Sequence, residues 1–318
     1  MTGPVVVAEI VRSGIVEGHH YGSVVAMKAD GSIEWSVGDV TSPVLPRSSN
    51  KPIQALAMVE QGLDLPPELL ALACASHSGE THHLEGAQRI LAGAGLDEEA
   101  LQTPPDWPLD ESAREAMLRA GGEKSSLAMN CSGKHAAMLA TCVHNAWDIA
   151  TYLDPHHPLQ EAIRGTFERM TGEAAQVAVD GCGAPLLSTS LTGLARAFSR
   201  LAVATVGAEQ RVAEAMRSHP EYVSGTTRDE RTLLEAMPGS IGKAGAESCY
   251  AVALPDGQAF ALKTDDGAAR ARPVVMAAAL ERSGVTSEDW VDAETVRRTG
   301  EHVLLGGGKP VGEIRACI

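Results

Sequence analysis

Residues 248–267 read SCYAVALPDGQAFALKTDDG. Two apolar runs flank Pro255-Asp256-Gly257, the composition of a strand, a tight turn and a returning strand. The stretch matters because of what precedes it. From about residue 53 to about 240 the apolar spacing is helical almost throughout. PIQALAMVEQGL (52–63) ends at a Gly stop, and 66–96 reads as two helices broken by the polar loop SHSGE. Further helices are expected within 110–122, 131–147, 157–172, 185–202, 207–218 and 229–237, with one short strand at AQVAVDG (175–181).

The N-terminal end is strand-like again. MTGPVVVAEIV (1–11) reads as a first strand, and SVVAMKADGSIEWSVGD (23–39) as a hairpin around Asp30-Gly31. A helix at about 270–283 and a last strand, KPVGEIRACI (309–318), close the chain. Strands at both ends with a helical middle predict an α+β fold, one antiparallel sheet built from both chain ends, rather than a βαβ series. The expected organisation is a single domain over 1–318 with its helical subregion at about 53–240. LLGGGKP (304–310) precedes no helix and reads as a flexible turn rather than a phosphate loop.

The chain has 318 residues, 44% hydrophobic and 3% aromatic, so its core must rest on Ala, Leu, Val and Met. Its formal net charge is −15, which disfavours nucleic acid and anionic membranes as partners. No apolar run is long enough to span a bilayer. The N-terminus lacks the basic region and cleavage site of a signal peptide. Six dispersed cysteines without a C-x-x-C then predict reduced thiols and a cytoplasmic location.

Five segments carry candidate chemistry. In PRSSNKP (46–52), Ser48 stands three residues before Lys51, one helical turn away. An amine there can take a serine's proton, and a helix start favours charge developing on the oxygen. Pro52 predicts an irregular first turn. Otherwise the stretch is a helix cap with a surface lysine. In CASHSGE (74–80), Ser76, His77, Ser78 and Glu80 crowd a helix break; the plain alternative is that Ser78 or Thr81 caps the next helix. MNCSGKH (129–135) holds Cys131, Lys134 and His135, and VDGCGAP (179–185) holds Asp180 and Cys182. Two cysteines on separate bends with His135 could bind a soft or borderline metal, or line the core as buried thiols. In SIGKAGAES (240–248), Lys243 precedes Gly245 on an expected edge strand, where the glycine allows close approach. S-x-x-K, then a serine pair on a helix break, then K-x-G on a late strand repeats the order found in penicillin-recognising serine acyl-transferases.

Longer motifs narrow this. SGIVEGHH, RSSNKPIQALA, CASHSGE, NCSGKHAAML, DGCGAP, GKAGAE, DDG and VGEIR occur in order along nearly the whole chain. Together they resemble the thermolabile, rhizobial-type L-asparaginase II family, whose fold is related to serine β-lactamases and glutaminases. The resemblance implies two Ser–Lys pairs, Ser48 with Lys51 and Ser76 with Lys243. It implies zinc at Cys131, Lys134 and Cys182, with Asp180 and His135 close by, and a homodimer. The implied reaction is hydrolysis of L-asparagine to L-aspartate and ammonia through an acyl-serine. In that reading Arg47 meets the α-carboxylate, and Glu80 or Asp180 the α-amino group. A glutaminase or a β-lactamase-like amidohydrolase is the alternative, and a non-enzymatic metal-binding protein a more distant one.

Overall fold

The structure is a computed structural model and describes residues 5–318. In chain order the elements are β1 (Val5–Arg12), β2 (Ile15–Met27), β3 (Ile33–Val37), a 3-10 turn (Arg47–Asn50) running into α1 (Lys51–Glu60), α2 (Pro67–Ala73), α3 (Thr81–Gly93), α4 (Glu111–Arg119), α5 (Ser132–His144), α6 (Pro158–Thr171), β4 (Val177–Val179), β5 (Pro185–Leu187), α7 (Leu191–Ala202), α8 (Gly207–Ser218), α9 (Pro220–Val223), α10 (Asp229–Glu235), β6 (Ile241–Ala244), β7 (Cys249–Ala253), β8 (Ala259–Thr264), α11 (Ala271–Arg282), α12 (Ala293–Thr299), β9 (His302–Gly306) and β10 (Lys309–Ala316). The α+β class expected from the sequence is the one observed. The first four residues of the expected N-terminal strand lie outside the described residues.

The chain packs into two compact units. The first takes residues up to Ser49, Thr189–Val203 and Thr232–Ile318. Its sheet runs β6-β7-β8-β2-β1-β10-β9, with β3 pairing β2, and every pairing is antiparallel. The two ends of the chain pair within it as β1 and β10, Ala8 opposite Ala316 and Ile10 opposite Ile314. β7 and almost all of β8 are buried on consecutive residues, which requires cover on both faces. One face puts Tyr250, Val252, Phe260 and Leu262 into a core with Val275, Met276 and Leu280 of α11. The alternate positions are small: Cys249, Ala251, Ala259 and Ala261. Short side chains let a helix come close, and the amphipathic α7 packs on β7 and β8.

The second unit takes Asn50–Ser188 and Ala204–Arg231. α1 is its centre. Lys51 to Val59 are all buried, and the helix packs against α2, α5, α6 and α8. An all-buried helix is apolar all round, and IQALAMV fits that; Lys51 at its start does not. β4 and β5 pair as a small ribbon.

Three details depart from the expected elements. Residues 185–202 form a strand and a helix, because Ser190 accepts a hydrogen bond from the Gly193 amide at 2.9 Å and starts α7 there. The helix after CASHSGE is capped from neither Ser78 nor Thr81; its N-cap is Glu80, whose amide donates to His83 Nδ1 at 3.2 Å. The apolar residues before the 307–308 turn form a strand, β9, paired to β10.

Candidate active site

In the sheet unit, Ser48 is fixed through its neighbours. Arg47 has φ +52°, a left-handed conformation uncommon for a residue with a side chain. The chain then tightens into the 3-10 turn, where the Ser49 amide donates to Pro46 O at 3.1 Å. The Ser49 hydroxyl donates to Cys249 O at 3.1 Å and ties the turn to the start of β7. Gly245, just past β6, comes closer still. A Cβ built there would stand 2.5 Å from Pro46 O and 3.0 Å from the amide nitrogens of Ser48 and Ser49. β6 lies at one end of the sheet, so Lys243 falls on an edge strand as expected, with Gly245 just beyond the strand's end. Lys243 on it is fully buried and donates to Ala244 O at 2.8 Å.

The 3-10 turn continues into α1 without a break, since Asn50 has helical dihedrals. Ser48 thus precedes Lys51 by three residues on continuous helical backbone, with the irregular first turn expected from Pro52. Pro52 is tolerated because a first-turn amide has no intrahelical partner to lose.

In the helical unit, Lys51 is only 1% exposed. Its amine donates to Ala75 O at 2.6 Å and to Cys131 Sγ at 3.0 Å. Ala75 leads to Ser76, whose hydroxyl donates to Asn130 Oδ1 at 3.3 Å. The same oxygen accepts from Cys131 Sγ at 3.0 Å. His77 completes the join. Its amide donates to Asn130 O at 3.0 Å, and its Nε2 is hydrogen-bonded to Ser132 Oγ at 2.9 Å. Burial, then the neighbouring His83 and Lys51, holds the His77 pKa well below the usual imidazole value. Its neutral ring thus acts as a fixed hydrogen-bonding strut. The loop 74–80 and the bend 129–135 therefore form one polar assembly, with Lys51 and Ser76 both on it.

Cys182, on the bend after β4, lies against Cys131, Lys134 and His135. The neighbouring Cys131, then the Lys134 ammonium, holds the Cys182 pKa far below that of a free thiol. Cys131 shifts the other way, through its hydrogen bond to Cys182 and its burial, and keeps its proton. Lys134 donates to Cys182 Sγ at 3.3 Å. Burial opposes its charge, but Cys182, Cys131 and Asp180 outweigh that and raise its pKa. His135 is hydrogen-bonded through Nδ1 to Tyr152 OH at 2.8 Å, while its buried Nε2 has no hydrogen-bond partner among the described residues. Burial, then Lys134, lowers its pKa to about 4. No three His, Cys, Asp or Glu side chains among the described residues converge as a metal-ligand group. The donor set is instead two sulfurs and an amine with an imidazole beside them, chemistry that suits a borderline ion.

The remaining expected residues are placed as follows. Arg47 pairs with Glu247 at 3.7 Å. Glu80 has both carboxylate oxygens engaged, with the Thr226 amide and hydroxyl, each at 2.8 Å. Asp180 accepts from the Gly181 amide at 2.8 Å and contributes to the field at Lys134. Sequence reasoning passed over Asn130, Ser132 and Glu247. Asn130 and Ser132 lie inside MNCSGKH, but nothing local marks an asparagine as the acceptor that joins two loops. Glu247 lies inside GKAGAE, where the motif singles out Lys243 and the glycines.

The chain belongs to the L-asparaginase II family, whose model matches residues 8–316. Among curated proteins, none matches the sequence. Solved structures with similarity include a β-lactamase from Mycobacterium bovis (18% identity, 82% of this chain and 94% of that one, TM-score 0.45). A putative β-lactamase from Bacteroides dorei is 14% identical over 76% of this chain and 84% of that one, at TM-score 0.41. EstCE1, a hydrolase with promiscuous acyltransferase activity, is 11% identical over 88% and 93%, at TM-score 0.40.

Proposed function

We propose that the protein hydrolyses L-asparagine to L-aspartate and ammonia through an acyl-enzyme on Ser48. The observation that carries this reading is Ser48 itself: a serine locked in a tight turn, three residues before a buried lysine on the same helical backbone, in an L-asparaginase II chain. Ser48 Oγ attacks the side-chain amide carbon. Lys51 takes the hydroxyl proton. Backbone amides around Ser48 stabilise the oxyanion, and Gly245 brings the end of β6 against them. The C–N bond breaks as the leaving nitrogen gains a proton, and ammonia departs. Ser76, hydrogen-bonded to Asn130 in the helical unit, is assigned the relay of that proton. Water then cleaves the ester and releases aspartate. Arg47 takes the substrate carboxylate.

Cys131, Cys182 and Lys134 would hold zinc, which when bound supplies a fixed positive charge that orients the substrate. Cys131 and Lys134 carry protons that must leave before they can serve as ligands. Zinc uptake is thus expected to release protons and to tighten between about pH 6 and about pH 8. Elemental analysis is expected to show zinc in the wild type and its loss in Cys131→Ser; equal zinc in both removes the site.

The function is tested by ammonia release with L-asparagine and L-glutamine, alongside a chromogenic β-lactam. The expected result is turnover of asparagine, with glutamine slower and the β-lactam untouched. Cleavage of the β-lactam without ammonia from asparagine would overturn the reading.

A further inference from the structure

Among the described residues, five non-glycine residues have positive φ: Ser13, Arg47, Ala146, Glu247 and Ser248. Three of the five meet at one place in the sheet unit. Arg47 has φ +52°, and the β6–β7 turn opposite carries Glu247 at +56° and Ser248 at +54°. The two strained segments are joined by the Arg47–Glu247 ion pair at 3.7 Å. The turn is held from several sides. The Gly245 amide donates to Cys249 O at 2.7 Å, and the Lys263 amine donates to Glu247 O at 2.8 Å. Gly267, in the DDG motif, leaves the space the glutamate occupies. A Cβ there would stand 2.3 Å from Glu247 Oε2 and 3.2 Å from its Cα.

The ion pair alone does not explain this arrangement. Glu247 is 60% exposed and Arg47 24% exposed. A part-exposed pair at this distance contributes less than three left-handed residues cost. Strain retained without a stabilising return points to a site that needs the geometry. What the geometry offers is one cation and one anion side by side, open to solvent, with the cation next in sequence to Ser48. That is the complement of an α-amino acid zwitterion, whose carboxylate and ammonium leave the same carbon. An arginine fork grips a carboxylate through paired hydrogen bonds, and a carboxylate accepts from an ammonium.

We infer that Glu247 is a specificity-determining residue that binds the substrate's α-ammonium group while Arg47 binds its α-carboxylate. The inference rests on the asparaginase reading of the site and deepens it. It assigns the ammonium partner to Glu247 rather than to Glu80, whose two oxygens are committed to Thr226. Substrates lacking a free α-amino group forfeit one charge-assisted bond and leave Glu247 facing only Arg47.

The test is direct binding without turnover. L-Aspartate carries the α-ammonium and succinate lacks it, so their affinities are compared by calorimetry in the wild type and in Glu247→Gln. The wild type is expected to bind L-aspartate about tenfold to a hundredfold more tightly than succinate, the range for hydrogen bonds to charged groups. Glu247→Gln is expected to bind the two alike, near the wild type's affinity for succinate. Arg47→Gln is expected to weaken both together. A wild type without preference, or a Glu247→Gln protein that keeps it, overturns the inference. Ammonia release from asparagine separates the two claims: continued turnover by a wild type that fails the binding test removes the clamp and leaves the asparaginase standing.

Discussion

Ser48→Ala is expected to lower ammonia release from L-asparagine by on the order of 10⁴-fold or more, the scale seen when a covalent nucleophile is removed. The loss should fall on kcat, because in the proposed mechanism the hydroxyl forms the bond to the reacting carbon. Folding is spared. Ser48 contributes its backbone to the turn, and the side chain anchored to β7 is that of Ser49. Losing one hydroxyl costs about 1 kcal/mol. Ser76→Ala behaves differently, since its hydroxyl has a partner, Asn130 Oδ1, that Cys131 also serves. That variant is expected to slow the reaction but still to load the enzyme. Rapid acid quench with peptide mass analysis distinguishes the two serines: the aspartyl adduct appears on the peptide containing Ser48 in the wild type. An adduct on the peptide of Ser76, or full activity in Ser48→Ala, sinks the assignment.

How far such roles are legible without coordinates depends on how local their causes are. The hairpin at Pro255-Asp256-Gly257 is legible because the turn chemistry is complete within it; Gly257 takes the left-handed φ of +96° that glycine adopts freely. The helix of NCSGKHAAML is legible from its spacing. β5 was merged with α7 because PLL continues an apolar run, although Ser190, the cap that separates them, stands in plain view. β9 was lost for another reason. It is a strand only because β10 lies beside it, and an isolated VLLG carries no such information. The site divides the same way. Ser48, Lys51, Ser76 and Lys243 announce themselves by motif. Lys51 meeting Cys131 across 80 positions does not, nor does Glu80 clamping Thr226 across 146. These are tertiary contacts, and no periodicity or propensity encodes them. Arg47 shows the middle case: its residue type suggested carboxylate binding, but its strained backbone and its partner Glu247 emerge only in three dimensions.

Gly245→Ala is expected to cost on the order of 10²-fold in kcat/KM while the protein remains folded. The three atoms that crowd the new methyl are all backbone: Pro46 O at 2.5 Å, and Ser48 N and Ser49 N at 3.0 Å. No side chain can swing away to make room, so either β6 or the 3-10 turn must move. The turn carries Ser48, the proposed nucleophile, and β6 carries the buried Lys243. A displacement approaching 1 Å in a reacting group is worth about that factor in rate. Overpacking of this kind costs about 1–3 kcal/mol in stability, which a chain of this size survives. The control is Gly165→Ala on the exposed side of α6, where a Cβ meets nothing within 4 Å. That change should raise stability by about 0.5–1 kcal/mol through helix propensity and leave activity untouched. Thermal melts and steady-state kinetics on the two variants separate position from bulk. If Gly245→Ala keeps wild-type kcat/KM, the close approach of β6 to the Ser48 turn has no part in catalysis, and the oxyanion must be held elsewhere.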